Sequence, residues 1–395
     1  MAAGLTLNQL TLQKGTTQIG LAAGVDGWHN GLVMNSIANT VLVLGAGFTR
    51  AFVPEAPLLF GDFCAEELDQ CFARFPRARD ILTWERQRDP QGQGRINLER
   101  LMTRLDSGMP YDEFDGSLQE LTLLLSELLS CFIRLVDEAR GRSEFHNELL
   151  PLATYCINNA VDCVTFNYDD VLDEVLYSVR QPPPGRPVSY WHPNGGYGLF
   201  CRPSLTTISG LYGDVMHSST IQLLKLHGSM NWRIRVSNTG AASPDNIVHH
   251  EPWYPYEGQW FSGFRKDSVE GLRFEAMIEG HLQRDPFIVP PVLTKSSIIA
   301  EPILRIVWKA AREKLLMADR VIFVGYSLPI TDIAARTMFS ECIRTTADIR
   351  VVGYTPNSEA DERLITSYRE IWPDLADEQF DFAGAREWAR QFTAG

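Results

Sequence analysis

Four short stretches carry residues able to do chemistry, and each of them ends an apolar run. VTFNYDDVLDEVL, residues 164–176, breaks abruptly into Asn167, Tyr168, Asp169 and Asp170. IQLLKLHG ends in His227 and Gly228, TVLVLGAGFTR reaches Gly45, Ala46 and Gly47 before Thr49 and Arg50, and DRVIFVGYSLP ends in Gly325, Tyr326 and Ser327. An amide offers a directed donor and acceptor, an ionised carboxylate only accepts, and imidazole exchanges a proton near neutral pH. Gly45 and Gly47 remove side chains where backbone must approach a phosphate, and a helix starting there would aim its amides at the anion. A tight strand-to-helix turn needs the same glycines without any ligand. The third glycine of the dehydrogenase fingerprint is replaced by Arg50, so hydride transfer is not expected.

Each stretch also has a plainer reading. Asp169 or Asp170 caps a helix beginning near Val171, which leaves the amide of Asn167 unexplained. His227 taken alone is a satisfied strand-end histidine, and Gly228 after it lets another chain or a ligand come close. Thr331 or Asp332 in GYSLPITD can cap a helix, while Ser327 can hydrogen-bond a ribose or a phosphate. Arg50 is either a surface residue or a bidentate phosphate donor.

The elements needed to position these residues follow from the same runs. TVLVL, DCVTF, IQLLKL, RVIFV and DIRVV lack polar alternation, as central parallel strands do. Between them lie helical spacings such as EPILRIVWKAAREKLLMA and ITDIAARTMFSECI. Alternation of this kind predicts an α/β fold, a Rossmann-like doubly wound, mainly parallel sheet, in which ligands bind outside the carboxyl ends of the strands. We expect an arm at residues 1–39, a domain at 40–375 and a C-terminal segment at 376–395. The domain carries a helical insertion at about 58–160 and a loop insertion rich in Pro and Gly at about 180–220. LTLLLSELLSCFIRLV, from Leu121, is too polar for a membrane span and reads as a buried amphipathic helix, with Ser117 and Glu120 forming a capping box. NWRIRV is expected to pair beside the third strand.

Composition narrows the partners. In 395 residues the apolar fraction is 45%, with 20 Phe and 9 Trp, enough for a large core. A formal charge of −13 disfavours direct nucleic-acid or membrane binding, which depends on excess cations. The 7 cysteines, with no C-x-x-C pair, fit reduced thiols in a cytoplasmic protein and give no zinc spacing, and no metal is expected. The N-terminal residues lack the pattern of a secretory signal.

Taken in order, GAG, T-x-N-Y-D, HG and GYS at successive strand ends resemble the sirtuin superfamily, specifically its bacterial antiphage NAD hydrolase branch, over about residues 40–357. Two departures bear on activity. The C-x-x-C zinc module of protein-deacylating sirtuins is missing, and the G-I-P-D-F-R signature survives only as Phe60-Gly61-Asp62-Phe63-Cys64. The resemblance implies NAD as substrate and no metal. Gly45, Ala46, Gly47, Thr49 and Arg50 then hold the diphosphate, with Asp62 carried over beside them, and Gly325, Ser327 and Asn357 line the adenosine side. Asn167 positions the nicotinamide ribose or the attacking water. Asp169 orients the carboxamide or favours developing positive charge, and His227 accepts a proton. The implied activity is hydrolysis to nicotinamide and ADP-ribose by a regulated effector of antiphage defence. Its partners would be further copies of the chain, a HerA-like ATPase or an Argonaute-like protein. The alternatives are a zinc-free deacylase or ADP-ribosyltransferase, and a non-catalytic sensor of NAD or ADP-ribose.

Overall fold

The computed structural model describes residues 39–57, 69, 72–73, 75, 79–88, 96–106, 117–179, 191–199, 202–203, 219–234, 247–249, 287–289, 301–354 and 357–394. The main sheet has six strands, numbered here β1 (Thr40–Leu44), β2 (Asp162–Thr165), β3 (Leu223–Lys225), β4 (Arg320–Val324), β5 (Asp348–Val352) and β6 (Phe380–Asp381). They lie in the order β3-β2-β1-β4-β5-β6 and every pairing is parallel. This is the doubly wound order, in which the chain runs outward from β1 in one direction and then resumes at β4 on its other side. The point of reversal lies between β1 and β4, whose residues pair from Thr40 with Arg320 to Leu44 with Val324.

Burial explains why these runs are strands. Val41 to Leu44 of β1 and Val321 to Val324 of β4 are buried, as expected of strands covered on both faces. Helices α1 (Ala46–Phe52), α5 (Phe145–Asn158), α6 (Val171–Ser178) and α10 (Ala385–Ala394) pack against one another, and α7 (Pro302–Met317) packs with α8 (Ile333–Cys342). Pro302 sits at the first turn of α7, where its missing N–H goes unneeded. Helix α9 (Ser358–Arg369) lays Tyr368 edge-on against Phe323 of β4, with ring centroids 5.1 Å apart.

The helical insertion divides in two. Helix α5 contributes Leu149, Leu152, Ala153, Cys156 and Ile157 to the main core and so belongs to the sheet's own helical layer. Helices α2 (Arg79–Gln87), α3 (Leu98–Asp106) and α4 (Ser117–Gly141) instead build a second apolar core around Leu82, Leu101, Met102, Leu124, Leu128 and Phe132. Helix α4 contains the run read as amphipathic, and no helix among the described residues is long and apolar enough to cross a membrane. The side chains of Ser117 and Glu120, read as a capping box, lie outside the described residues.

One expectation changes. Residues Trp232–Ile234 do not join β3; they pair antiparallel with Ile247–His249 in a separate three-stranded sheet completed by Arg202–Pro203. The turn at Ser229 and Met230 carries the chain off the main sheet first. The C-terminal stretch set apart at 376–395 supplies β6 and α10, whose Ala385, Trp388 and Ala389 are buried in the main core. Residues 1–38 and most of the loop at 180–220 lie outside the described residues. The described part of that loop buries Trp191 and Tyr197 completely.

Candidate functional site

All four polar stretches end at the carboxyl edge of the sheet, and the two glycine turns meet at the reversal point. The Gly47 N–H donates to the Gly325 carbonyl at 2.9 Å, and the Gly45 N–H donates to the Val324 carbonyl at 3.1 Å. Gly325 has φ +63°, a left-handed conformation, and a Cβ there would lie 2.1 Å from the Phe48 nitrogen. A Cβ on Gly45 would lie 2.6 Å from the Gly325 oxygen and 2.6 Å from the Tyr326 Cα. Glycine is therefore required because two backbones touch, before any ligand is considered. The same close approach lets Phe166 and Tyr326 stack across β1, with centroids 4.4 Å apart and planes within 9°. Ala46, Gly47 and Ser327 remain exposed at this edge.

Asn167 is held against the β1 turn. Its Nδ2 donates to the Gly45 carbonyl and to Thr49 Oγ1, both at 2.9 Å. Its backbone N–H donates to Thr165 Oγ1 at 3.1 Å, and the Thr165 hydroxyl donates to the Leu44 carbonyl at 3.3 Å. Both amide hydrogens are thus engaged, and the Oδ1 atom meets no partner among the described residues. The group left for a ligand is an oriented acceptor.

The carboxylates after Asn167 are each met from within the protein. The Thr49 hydroxyl donates to Asp169 Oδ2 at 2.7 Å, and the Val171 N–H donates to Asp169 Oδ1 at 3.2 Å. Asp169 therefore closes the start of α6, whereas the side chain of Asp170 makes no capping bond and lies 3.5 Å from the Arg140 guanidinium. Loss of water raises the Asp169 carboxyl above its usual range, with the nearby Lys225 charge and the Thr49 bond acting against the rise. Deeper still, Lys225 donates to the Asp169 carbonyl and to both oxygens of Asp173, at 3.3 and 3.2 Å. The Tyr197 hydroxyl donates to Asp173 as well, and Asn231 Nδ2 donates to that hydroxyl at 3.1 Å. Burial pushes Asp173 up to about 6, although Lys225 opposes it.

His227 follows β3 at the same level as Asn167 follows β2, because Thr165 pairs with Lys225. Its ring is buried edge-on against Phe166, centroids 5.3 Å apart, and tilted against Tyr168 at 6.1 Å. These are the residues on either side of Asn167. The His227 carbonyl accepts from the Val289 N–H at 2.8 Å, and Gly228, at φ +79°, has the Phe287 oxygen 2.2 Å from where a Cβ would stand. The close approach expected at Gly228 is made by another segment of the chain.

Other expected ligand residues have bonds inside the protein. Thr49 is engaged as above, Arg50 donates to the Ala56 carbonyl, and Asn357 caps α9 by accepting from the Ala360 N–H at 2.9 Å. Asp332 begins α8 without a side-chain cap and accepts instead from the Tyr326 hydroxyl at 2.9 Å. Asp62 lies outside the described residues.

No family model matches the sequence, and no curated protein matches it. Solved structures that match include Sir2 homologues. One, solved for the mechanism and regulation of Sir2 enzymes, shares 14% identity over 92% of this chain and 97% of its own, with a TM-score of 0.38. A mutant Sir2 homologue in complex with 2′-O-acetyl ADP ribose shares 13% identity over 90% and 91%, with a TM-score of 0.35. A Sir2 homologue in complex with NAD shares 13% over 88% and 98%, with a TM-score of 0.31. At this level no residue role transfers from them, and the site is argued from its own geometry.

Residues that pattern reading missed are the buried supports Thr165, Arg140, Asp173, Tyr197, Lys225 and Asn231. Lys225 had one signal available, a charge inside the apolar run LLKL, which a central strand tolerates only when the charge is paired.

Proposed function

We propose that the chain binds NAD along the carboxyl edge of the sheet and hydrolyses its nicotinamide–ribose bond, releasing nicotinamide and ADP-ribose. The observation that carries this reading is the locked Asn167 amide beside the reversal point of a doubly wound sheet, which leaves a single oriented acceptor where dinucleotides bind in such sheets. An acceptor suits a water molecule or a ribose hydroxyl, both of which donate. Ala46, Gly47 and Ser327 are exposed beside it, and although the Gly47 N–H is taken by the Gly325 carbonyl, the Ala46 N–H and the Ser327 hydroxyl suit a diphosphate and a ribose.

The chemistry asks little beyond orientation. Nicotinamide in NAD is a cationic pyridinium, so the C1′–N bond breaks with its electron pair going to the ring, which leaves neutral. Water adds to the ribose through an oxocarbenium-like state, as in glycoside hydrolysis, and one proton is released. In this reading Asn167 Oδ1 orients the water or the neighbouring hydroxyl, and His227 accepts the proton. Asp169 works through Thr49, which it holds against Asn167. Because unrestrained loss of NAD would harm a host cell, we infer a regulated effector of antiphage defence, working as an oligomer or with a HerA-like ATPase or Argonaute-like partner.

Mass spectrometry of NAD, nicotinamide and ADP-ribose, in cells expressing the chain with its genomic neighbours and then with purified protein, tests the reading. Loss of NAD with matching gain of both products is expected, strongly slowed by Asn167→Ala and by His227→Ala. Turnover only in the presence of an acylated peptide would point to deacylation, and binding without cleavage to a sensor.

A further inference from the structure

Among the described residues, the buried members of the second apolar core that come from outside the helical insertion are Tyr168 and Met230. Both belong to the loops that carry the candidate catalytic groups. The Tyr168 ring lies edge-on to Phe132 of α4, centroids 6.4 Å apart at 87°, and on its other side meets the His227 ring at 6.1 Å. The Tyr168 carbonyl accepts from the Met230 N–H at 2.8 Å and from the Ser229 hydroxyl at 3.3 Å. The loop bearing His227 is thus suspended from Tyr168 by its backbone and packed against it by its ring. On the opposite flank the imidazole meets Phe166, a member of the main core. Two separate apolar cores therefore meet at one imidazole.

We infer that Tyr168, backed by Phe132, is a positioning residue that seats the His227 imidazole, which ties the Phe132 position of α4 to the working site. Interiors are close-packed and transmit displacement, so a change at Phe132 moves the Tyr168 ring and with it the imidazole. Neither aromatic side chain is assigned a contact with substrate. The inference rests on the role given to His227 above, and it supplies a physical route by which whatever engages the helical module alters turnover.

The test compares Phe132→Ala with Leu101→Ala, a cavity in the same core, in the full-length chain. The readouts are melting temperature, kcat and KM for nicotinamide release, and the His227 imidazole resonance, identified by its loss in H227Q. For Phe132→Ala a fall in kcat of about 10- to 100-fold is expected, with KM unchanged and the resonance shifted or broadened. Leu101→Ala should lower the melting temperature comparably while leaving kcat and the resonance as in the wild type. Phe132→Leu should recover part of the loss. An unchanged resonance in Phe132→Ala, or equal losses of kcat in the two alanine variants, would overturn the inference. A wild-type chain that never releases nicotinamide would instead defeat the hydrolase reading, and the resonance would still decide whether the helical module seats His227.

Discussion

Asn167 has two donors and one acceptor, and the fold engages the donors. Gly45 and Thr49 take the two amide hydrogens, so the carbonyl oxygen is held in a fixed orientation. Replacing it by alanine removes that acceptor together with two internal bonds worth about 1 kcal/mol each. Asn167→Ala should slow nicotinamide release by about 100-fold or more, the scale of losing one preorganised polar group in an active site. Rates measured against melting temperature will separate the two effects. Gly325 makes the complementary point about backbone. Its left-handed φ of +63° alone disfavours any side chain by about 1–2 kcal/mol, and the Phe48 nitrogen stands in the way of a Cβ. Gly325→Ala should therefore destabilise the chain by more than about 2 kcal/mol in urea unfolding, and a neutral result would mean that the two turns do not touch.

At the scale of elements, β3 and the start of α6 are joined by the buried Lys225–Asp173 pair. Lys225→Met leaves Asp173 buried without its cation and should cost about 3–5 kcal/mol. Exchanging both for apolar residues should recover part of that loss, since buried pairs often compare poorly with hydrophobic packing. The pair also carries a pH signature. Burial holds the Asp173 carboxyl at about 6 in the folded chain, above the ordinary aspartate value of 3.8, so the folded state binds this proton more tightly than the unfolded state between those values. Its contribution to stability is full below pH 4, declines as the pH rises to about 6, and is level beyond. Denaturant unfolding of wild type and Asp173→Asn across this window should show a steeper decline in the wild type, the variant keeping the part that Asp169 contributes.

For the whole molecule, the main sheet needs its last strand and helix. Residues 376–394 supply β6 beside β5, and α10 packs Phe392 against Tyr155 of α5, with ring centroids 4.7 Å apart and planes tilted by 56°. Truncation before residue 376 should expose the buried faces of Ala385, Trp388 and Ala389's neighbours and yield an insoluble or partly unfolded chain, as judged by circular dichroism. A truncated chain with native melting would show this segment to be dispensable. The sequence by itself determined the parallel strands and the polar positions at their ends, because apolar runs without alternation and turn residues after them are local properties. It also marked Asn167 and His227 as polar residues just past buried runs, although His227 taken alone has a plain structural use and only the order of the four stretches singled it out. Only the tertiary structure decided that Gly45, Gly47 and Gly325 serve one backbone contact and that Asp169 is engaged by Thr49 and Val171. The same holds for the division of the helical insertion between two cores and for the addition of the last strand to the sheet edge. Those outcomes depend on which distant segments come within a few ångströms of each other, a property of the packed chain that no local pattern encodes.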